Sequence, residues 1–346
     1  MLYISFKTFG TTFLIASLIP LGGVAAFNFY MDPLWMFPHS HEDNDMQVVI
    51  DERQQKANHI HYANGGHPSG EFNYDTLLIG SSRSTYINPN HFENMDVYNF
   101  AAADLSFKEY DDMIQFAKQE KGSDFERIII GVDFFKSSKE QSAGDPTWEE
   151  YLSNLEDPFY RAKSLTSSDV LDYSLRNYRM SQNDEPVLAR SYNRDNTAFA
   201  KEYQASSIES QTQEKIQRFR DVFYGDNYEY NPEFKAQMQQ LKENNPNTEF
   251  IIFTTPISTP LFETMEEEGN LPGYEQWLKD IIDVFGGVHH FMYPNFITND
   301  VSNYFDGHHF YPEVGTLIAE TLSTGKVTQD FGTYMNASDW FEAFGE

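Results

Sequence analysis

Cysteine is absent from all 346 residues. Disulfide scaffolds, thiolate metal sites and cysteine nucleophiles are therefore excluded, while the compartment stays open because a cysteine-free chain suits any of them. Positive charge is scarce: 24 Lys and Arg stand against 53 Asp and Glu, giving a net charge of −29 and a sequence pI near 4.5. Long-range repulsion opposes encounter with nucleic acid or an anionic lipid surface, so neither is an expected partner. The acidic excess reads as a solvated surface rather than a specific cation site. Metal-ligand patterns are thin as well. His39–Asp45 (HSHEDND) crowds His and acidic residues into what reads as a solvated loop, and His59 and His61 alternate as if sharing one face of a strand, with no further ligand nearby. No metal or cofactor is expected, and no internal repeat is visible.

Hydrophobic residues make up 40% of the chain, enough for a sizeable core in one large domain or two small ones. Thr8–Tyr30 carries no charge and includes Phe13, Leu14, Ile15, Leu18, Ile19 and Leu21. Its length matches a bilayer's hydrocarbon layer. Lys7 precedes it, and Asp32 with further acidic residues follows, which leaves the N-terminus in the cytoplasm and the rest outside. Pro20 and Gly22-Gly23 are better tolerated in a membrane span than in a soluble helix. A retained anchor over residues 1–31 is the favoured reading. A cleaved signal peptide is the rival, with Val24-Ala25-Ala26 as its small-residue site, and a secreted protein as its product. Export is common to both.

Residues 32–73 read as a linker or pre-domain segment. Asn28–Phe37 (NFYMDPLWMF), which bridges the anchor and this segment, is aromatic-rich and suits a membrane interface, and Asn64–Gly70 (NGGHPSG) is a turn-rich break that opens the main domain. The main domain then runs over 74–325. Apolar strands are expected at Thr76–Ile79, Val97–Phe100, Arg127–Val132, Glu249–Thr255 and Val288–Tyr293. Between them, Ser106 and Glu109 have the spacing of a capping box, and helices are expected at Pro232–Glu243, Tyr274–Phe285 and Pro312–Leu322. Residues 135–247 break the rhythm. They read as a largely helical insertion that either covers the active edge of the sheet or decorates the surface. Residues 326–346 form an acidic, aromatic tail. Nearly all-apolar strands alternating with helices predict an α/β fold with a mostly parallel sheet sandwiched by helices.

The chemistry collects at loops after the strands. Tyr74–Ser84 (YDTLLIGSSRS) ends an apolar strand in a Gly-Ser-Ser turn, which delivers a hydroxyl to the carboxyl edge of a sheet. Far downstream, Tyr304–Gly315 (YFDGHHFYPEVG) places Asp306 three residues before His309 and just ahead of the last helix. A serine needs a base to take its proton, and the base needs an acceptor on its other ring nitrogen, so Ser82, His309 and Asp306 form a candidate triad. Oxyanion donors are expected from the backbone N–H groups of Ser82 and of Ala103-Asp104, and from a group near Asp133. An ionised Asp133 would repel an oxyanion, so it is either protonated or orients a neighbour such as Arg83. Arg83 itself binds an anionic substrate group or serves the structure.

The Gly80-Ser81-Ser82 turn after the first strand and Asp306-Gly307-His308-His309 before the last helix resemble the SGNH/GDSL hydrolase superfamily. More narrowly, the apolar N-terminal segment, the DPLW segment, the GSSR turn and YFDGHHF resemble membrane-anchored SGNH-like proteins of bacteria. The lipoteichoic-acid D-alanylation protein and alginate O-acetylases are distant relatives of that group. The likeness spans Asp75–Leu322 without the insertion. It implies a three-layer sandwich, with Ser82 as nucleophile and His309 and Asp306 completing the triad. It further implies an esterase or acyltransferase acting on acetyl groups of a cell-surface polysaccharide, on the outer side of the bacterial cytoplasmic membrane. An acylated glycan would be the substrate, with a membrane-bound acyl-transfer partner. Two departures fall in the oxyanion hole: residues 99–104 contain no glycine, and Gly131-Val132-Asp133 puts aspartate where the family has asparagine. They keep open a catalytically weak component that binds glycan or assists polysaccharide assembly. A metal-dependent hydrolase using His308, His309 and Asp306 is the third alternative.

Overall fold

The computed structural model describes residues 6–142, 148–183, 186–327 and 330–339. The first part of the chain forms helix α1 (Phe6–Met31), strand β1 (Gln47–Val48), α2 (Glu52–Ala63), β2 (Thr76–Ile79), β3 (Val97–Asn99), α3 (Phe107–Lys121) and β4 (Arg127–Val132). Next come α4 (Lys139–Ser142), α5 (Trp148–Glu156), α6 (Tyr160–Leu165), α7 (Ser168–Ser181), β5 (Ser191–Tyr192), β6 (Ala198–Phe199) and α8 (Ala205–Val222). The chain continues with α9 (Phe234–Glu243), β7 (Glu249–Thr254), α10 (Thr259–Glu267), α11 (Leu271–Phe285), β8 (Gly287–His290), α12 (Pro312–Thr324) and β9 (Thr333–Asn336). The elements gather into two compact units, one of residues 1–66 with 149–195, the other of 67–148 with 196–346.

The larger unit is a mixed α/β body around a six-stranded sheet of order β3-β2-β4-β7-β8-β9. The first five strands are parallel, and β9 runs antiparallel to β8. Leu77, Leu78, Ile79, Ile128, Ile129 and Ile130 are all fully buried, as continuous apolar strands covered on both faces must be. The expected capping box starts α3: the Ser106 N–H donates to Glu109 Oε2 at 2.8 Å. From β2 the chain first steps to one side, to β3, and then to the other, to β4. The carboxyl ends of β2 and β4 therefore flank the point where strand order reverses, the place where open α/β sheets leave a crevice for ligands.

Two glycines permit close packing there. A Cβ on Gly80, after β2, would stand 2.2 Å from Ser84 Oγ, and one on Gly131, within β4, would meet the same atom at 2.2 Å. Ser84 thus fills the space that both glycines vacate, and it pins the turn after β2 onto β4. Asn99 adds a staple, donating from Nδ2 to the Ser84 and Ile87 carbonyls at 2.9 Å each. At the far edge, part of the tail expected over 326–346 is β9, whose Thr333–Asn336 pairs with His290–Gly287.

The smaller unit departs from the expected organisation. Residues 32–66, most of the segment expected as a linker or pre-domain stretch, hold β1, which pairs antiparallel with β5, and α2. The stretch 135–247 is not one insertion, since 149–195 joins the N-terminal residues while 196–247 stays with the large sheet. His59 and His61 lie on a helix, not a strand, with His59 buried and His61 exposed. The physical reason is that α2 is buried through polar side chains. Gln55 Nε2 donates to the Pro33 and Val48 carbonyls at 3.0 and 3.1 Å, and Asn58 Nδ2 donates to the Leu34 carbonyl at 2.9 Å. Such a helix shows no apolar period. Asp32 anchors the DPLW segment. Its carboxylate accepts from the Met36 and Phe37 N–H groups at 2.8 and 2.9 Å and from Arg194 at 2.7 Å.

Helix α1 includes one stretch, Thr11–Met31, that is long and apolar enough to be a membrane span or a signal sequence. Phe13, Leu18 and Ile19 are exposed. The last turns of the helix instead pack within the smaller unit: Asn28 Nδ2 donates to the Leu165 and Ser167 carbonyls at 3.0 and 3.1 Å. Its Oδ1 accepts from Ser174 Oγ at 2.9 Å.

Candidate active site

Ser82 leaves β2 through Gly80-Ser81, and a short 3-10 turn, Ser84–Tyr86, follows it. Thr85 Oγ1 donates to the Ser82 carbonyl at 2.6 Å, which fixes the turn and leaves the Ser82 hydroxyl half-buried at the sheet's edge. The loop before α12 is closed on itself by the Phe305 N–H, which donates to the His309 carbonyl at 3.1 Å, and by the antiparallel bridge of Tyr304 with Phe310. Asp306 organises its tip. Its Oδ1 accepts the backbone N–H groups of His308 and His309 at 3.0 and 2.7 Å, an Asx-type turn. Gly307, at φ +71°, is the left-handed residue of that turn, and a Cβ on it would sit 2.7 Å from Thr212 Cγ2.

The geometry that results is a relay. Ser82 Oγ lies 3.0 Å from His309 Nε2, and His309 Nδ1 lies 2.9 Å from Asp306 Oδ2. The carboxylate fixes the tautomer: Nδ1 carries the proton and donates a hydrogen bond to Asp306, so Nε2 offers a lone pair to the serine hydroxyl. The Phe305 ring lies parallel to the imidazole, 2° from coplanar at 5.4 Å, and Tyr86 meets it edge-on at 6.4 Å. Burial alone would raise the Asp306 pKa. The His309 ring and the Lys215 ammonium, 2.8 Å from Oδ2, outweigh it and hold the carboxyl well below its ordinary range. An acid that stays ionised, an oriented imidazole and a hydroxyl in reach are what nucleophilic catalysis by serine requires.

No protein-family model matches this chain, and no curated protein matches it significantly.

The other expected residues stand elsewhere. Asp133 and Arg83, expected as oxyanion or substrate candidates, face each other in the interior with side chains 1% exposed apiece. Asp133 Oδ1 accepts from Arg83 and from Thr255 Oγ1, both at 2.5 Å, and Oδ2 accepts from Ser81 Oγ. Arg83 also donates to the Thr255 carbonyl at 3.2 Å. A carboxylate so committed is an internal clamp: it ties the turns after β2, β4 and β7 together and orients Arg83 rather than an oxyanion. Asp104 is exposed and ion-paired with Lys136, and its backbone takes the left-handed φ of +57° that a glycine would adopt more easily. It is His309 that meets Ser82, while the His308 ring packs on Phe135 and Phe219 at 5.6 and 5.0 Å. Burial pushes the His308 pKa well below the ordinary imidazole value, with the Arg83 guanidinium reinforcing the effect. Among the described residues, no three His, Cys, Asp or Glu side chains are grouped to hold a metal ion.

Three participants escape sequence reading: Ser81, Thr255 and Lys215. Thr255 carried a weak signal, since a Thr-Thr pair closing an apolar strand sits at the same edge as Ser82. Lys215 carried none. It lies in the polar helix α8, more than 90 residues from Asp306, and topology alone brings the two together.

Proposed function

We propose that this protein is an exported, membrane-tethered serine esterase or acyltransferase of the SGNH type, acting on O-acyl groups of a cell-surface polysaccharide. The single observation that carries the proposal is the line from Ser82 Oγ through His309 to Asp306, at 3.0 and 2.9 Å, on the carboxyl edge of a parallel sheet. The strand order and the position of Ser82 at its reversal point support the SGNH-like sandwich. The resemblance of GSSR and YFDGHHF supports the acyl chemistry and the glycan, and the apolar helix α1 supports a tether on the outer face of the membrane.

In this mechanism the Ser82 proton passes to His309 Nε2 as Oγ bonds to the acyl carbonyl carbon. The ester C–O bond then breaks, and the departing sugar oxygen takes the proton from Nε2. Water or a second sugar hydroxyl attacks the acyl-enzyme by the same route in reverse, so hydrolysis and transfer differ in the acceptor alone. Oxyanion donors fall to the backbone N–H groups of Ser82 and the Ala103-Asp104 turn. Purified wild type is expected to turn over p-nitrophenyl acetate and to be labelled by a fluorophosphonate, and Ser82→Ala to lose both. Equal turnover by Ser82→Ala would overturn the proposal.

One observation favours a second reading. Where the family offers an asparagine amide, Asp133 offers a carboxylate already shared among Arg83, Ser81 and Thr255. A site short of one oxyanion donor would be a weak catalyst, and the protein would then serve as a glycan-binding or assembly component. Glycan binding retained by Ser82→Ala, with no labelling of wild type, is the outcome that selects it.

A further inference from the structure

Helix α8 lies outside the alternation of strand and helix, yet one of its side chains touches the candidate triad. Lys215 Nζ is 2.8 Å from Asp306 Oδ2, the same oxygen that accepts the His309 Nδ1–H at 2.9 Å. Oδ1 is taken by the two backbone N–H groups of His308 and His309. Both oxygens are therefore committed, and with His309 neutral the ammonium is the one formally charged donor among these four. The pair is screened little by water, with 19% and 10% of the two side chains exposed.

We infer that Lys215 is a positioning residue of the Ser82–His309–Asp306 site, which keeps Asp306 ionised and turned toward His309 while lowering the basicity of the imidazole. The inference rests on the hydrolytic reading proposed above. A buried carboxylate with no cation beside it would bind an imidazolium strongly, and a base already protonated cannot take the serine proton. The ammonium on Oδ2 draws off part of that attraction. His309 then stays neutral, and the site stays active, further into acid. Other charges face the same place: Asp306 and His308 from the loop itself, Arg218 one turn along α8, and Arg83 with its partner Asp133 from the turns after β2 and β4. The Tyr86 ring meets the His309 ring edge-on and also touches Phe305. Asp306 Oδ2 itself is bonded by the side chains of Lys215 and His309.

The test is the pH profile of kcat/KM for p-nitrophenyl acetate in the full chain, set beside the NMR titration of the His309 ring. Lys215→Gln keeps a hydrogen-bond donor and removes the charge; Lys215→Arg restores it. Lys215→Gln is expected to move the acid limb up by about one pH unit, a roughly tenfold loss on the acid side with a smaller change on the alkaline plateau. The His309 titration should move by the same amount, and Lys215→Arg should return both. Where Lys215→Gln does not fold, Lys215→Met takes its place. An unmoved limb and an unmoved titration, whatever the plateau, overturn the inference and leave Lys215 a structural contact. A moved titration in a protein without turnover or fluorophosphonate labelling upholds the electrostatic link while refuting the hydrolytic reading.

Discussion

At the scale of single residues, the proposed chemistry requires the hydroxyl, imidazole and carboxylate together, and Asp306 is the sharpest place to probe it. Asp306→Asn preserves shape but presents an amide to His309 Nδ1. The ring is then free to hold its proton on Nε2, where it faces Ser82 as a donor instead of an acceptor. Turnover of p-nitrophenyl acetate should fall about a thousandfold or more while the circular dichroism spectrum stays unchanged. A variant retaining a tenth of wild-type turnover would remove Asp306 from the relay. The same residue sets a pH dependence of stability. Its folded pKa is depressed below the ordinary 3.8, so its contribution is present above that value and is lost as pH falls through the folded one. In denaturant titrations, wild type should exceed Asp306→Asn at pH 6 and lose that advantage progressively in acid.

At the scale of elements, what could be read was whatever leaves a period or a cap in the chain. Thr76–Ile79 and Arg127–Val132 are strands with the expected bounds, because burial on both faces demands unbroken apolar residues. The Gly-Ser-Ser turn and the Asp-x-x-His loop were legible for the same local reason. Helix α2 was not, since Gln55 and Asn58 bury themselves by hydrogen bonds. Nor was the role of α8, which is decided by Lys215 meeting Asp306 across the fold. The turn after β2 yields a test of packing. Gly80→Ala should destabilise by roughly 1–3 kcal/mol, because the new methyl strikes Ser84 Oγ. Ser84→Gly in the same chain should recover most of that loss in urea unfolding, and a double variant as unstable as the single one would show that the clash lies elsewhere. Helix α2 yields a test of burial. Desolvation brings the Lys56 ammonium down to about 7 from 10.5, although Glu52 opposes the shift. The unfolded chain then binds this proton between those values while the folded one does not, so stability rises with pH across that window. Relative to Lys56→Met, wild type should gain stability from about pH 7 to about pH 10.

At the scale of the whole molecule, 53 acidic against 24 basic residues make self-repulsion the dominant long-range force. Raising salt from about 20 mM to about 0.5 M shortens the screening length to a few ångströms and should raise the thermal midpoint; a midpoint indifferent to salt would mean that the surface charges are already neutralised in pairs. The apolar N-terminal helix sets a second, independent constraint, because its two halves have different obligations. Phe13, Leu18 and Ile19 are exposed, whereas Asn28 is buried with its amide donating to the Leu165 and Ser167 carbonyls and accepting from Ser174. The exposed apolar part of α1 therefore ends before the helix does, and the proposed tether would end with it. A variant beginning at Val24 should lose membrane association on fractionation and keep its thermal midpoint. One beginning at Asp32 should lose both, since removal of Asn28 strands the Ser174 hydroxyl and two carbonyls at roughly 1–3 kcal/mol each where they remain buried. A Val24 variant that still sediments with washed membranes would place the attachment outside α1.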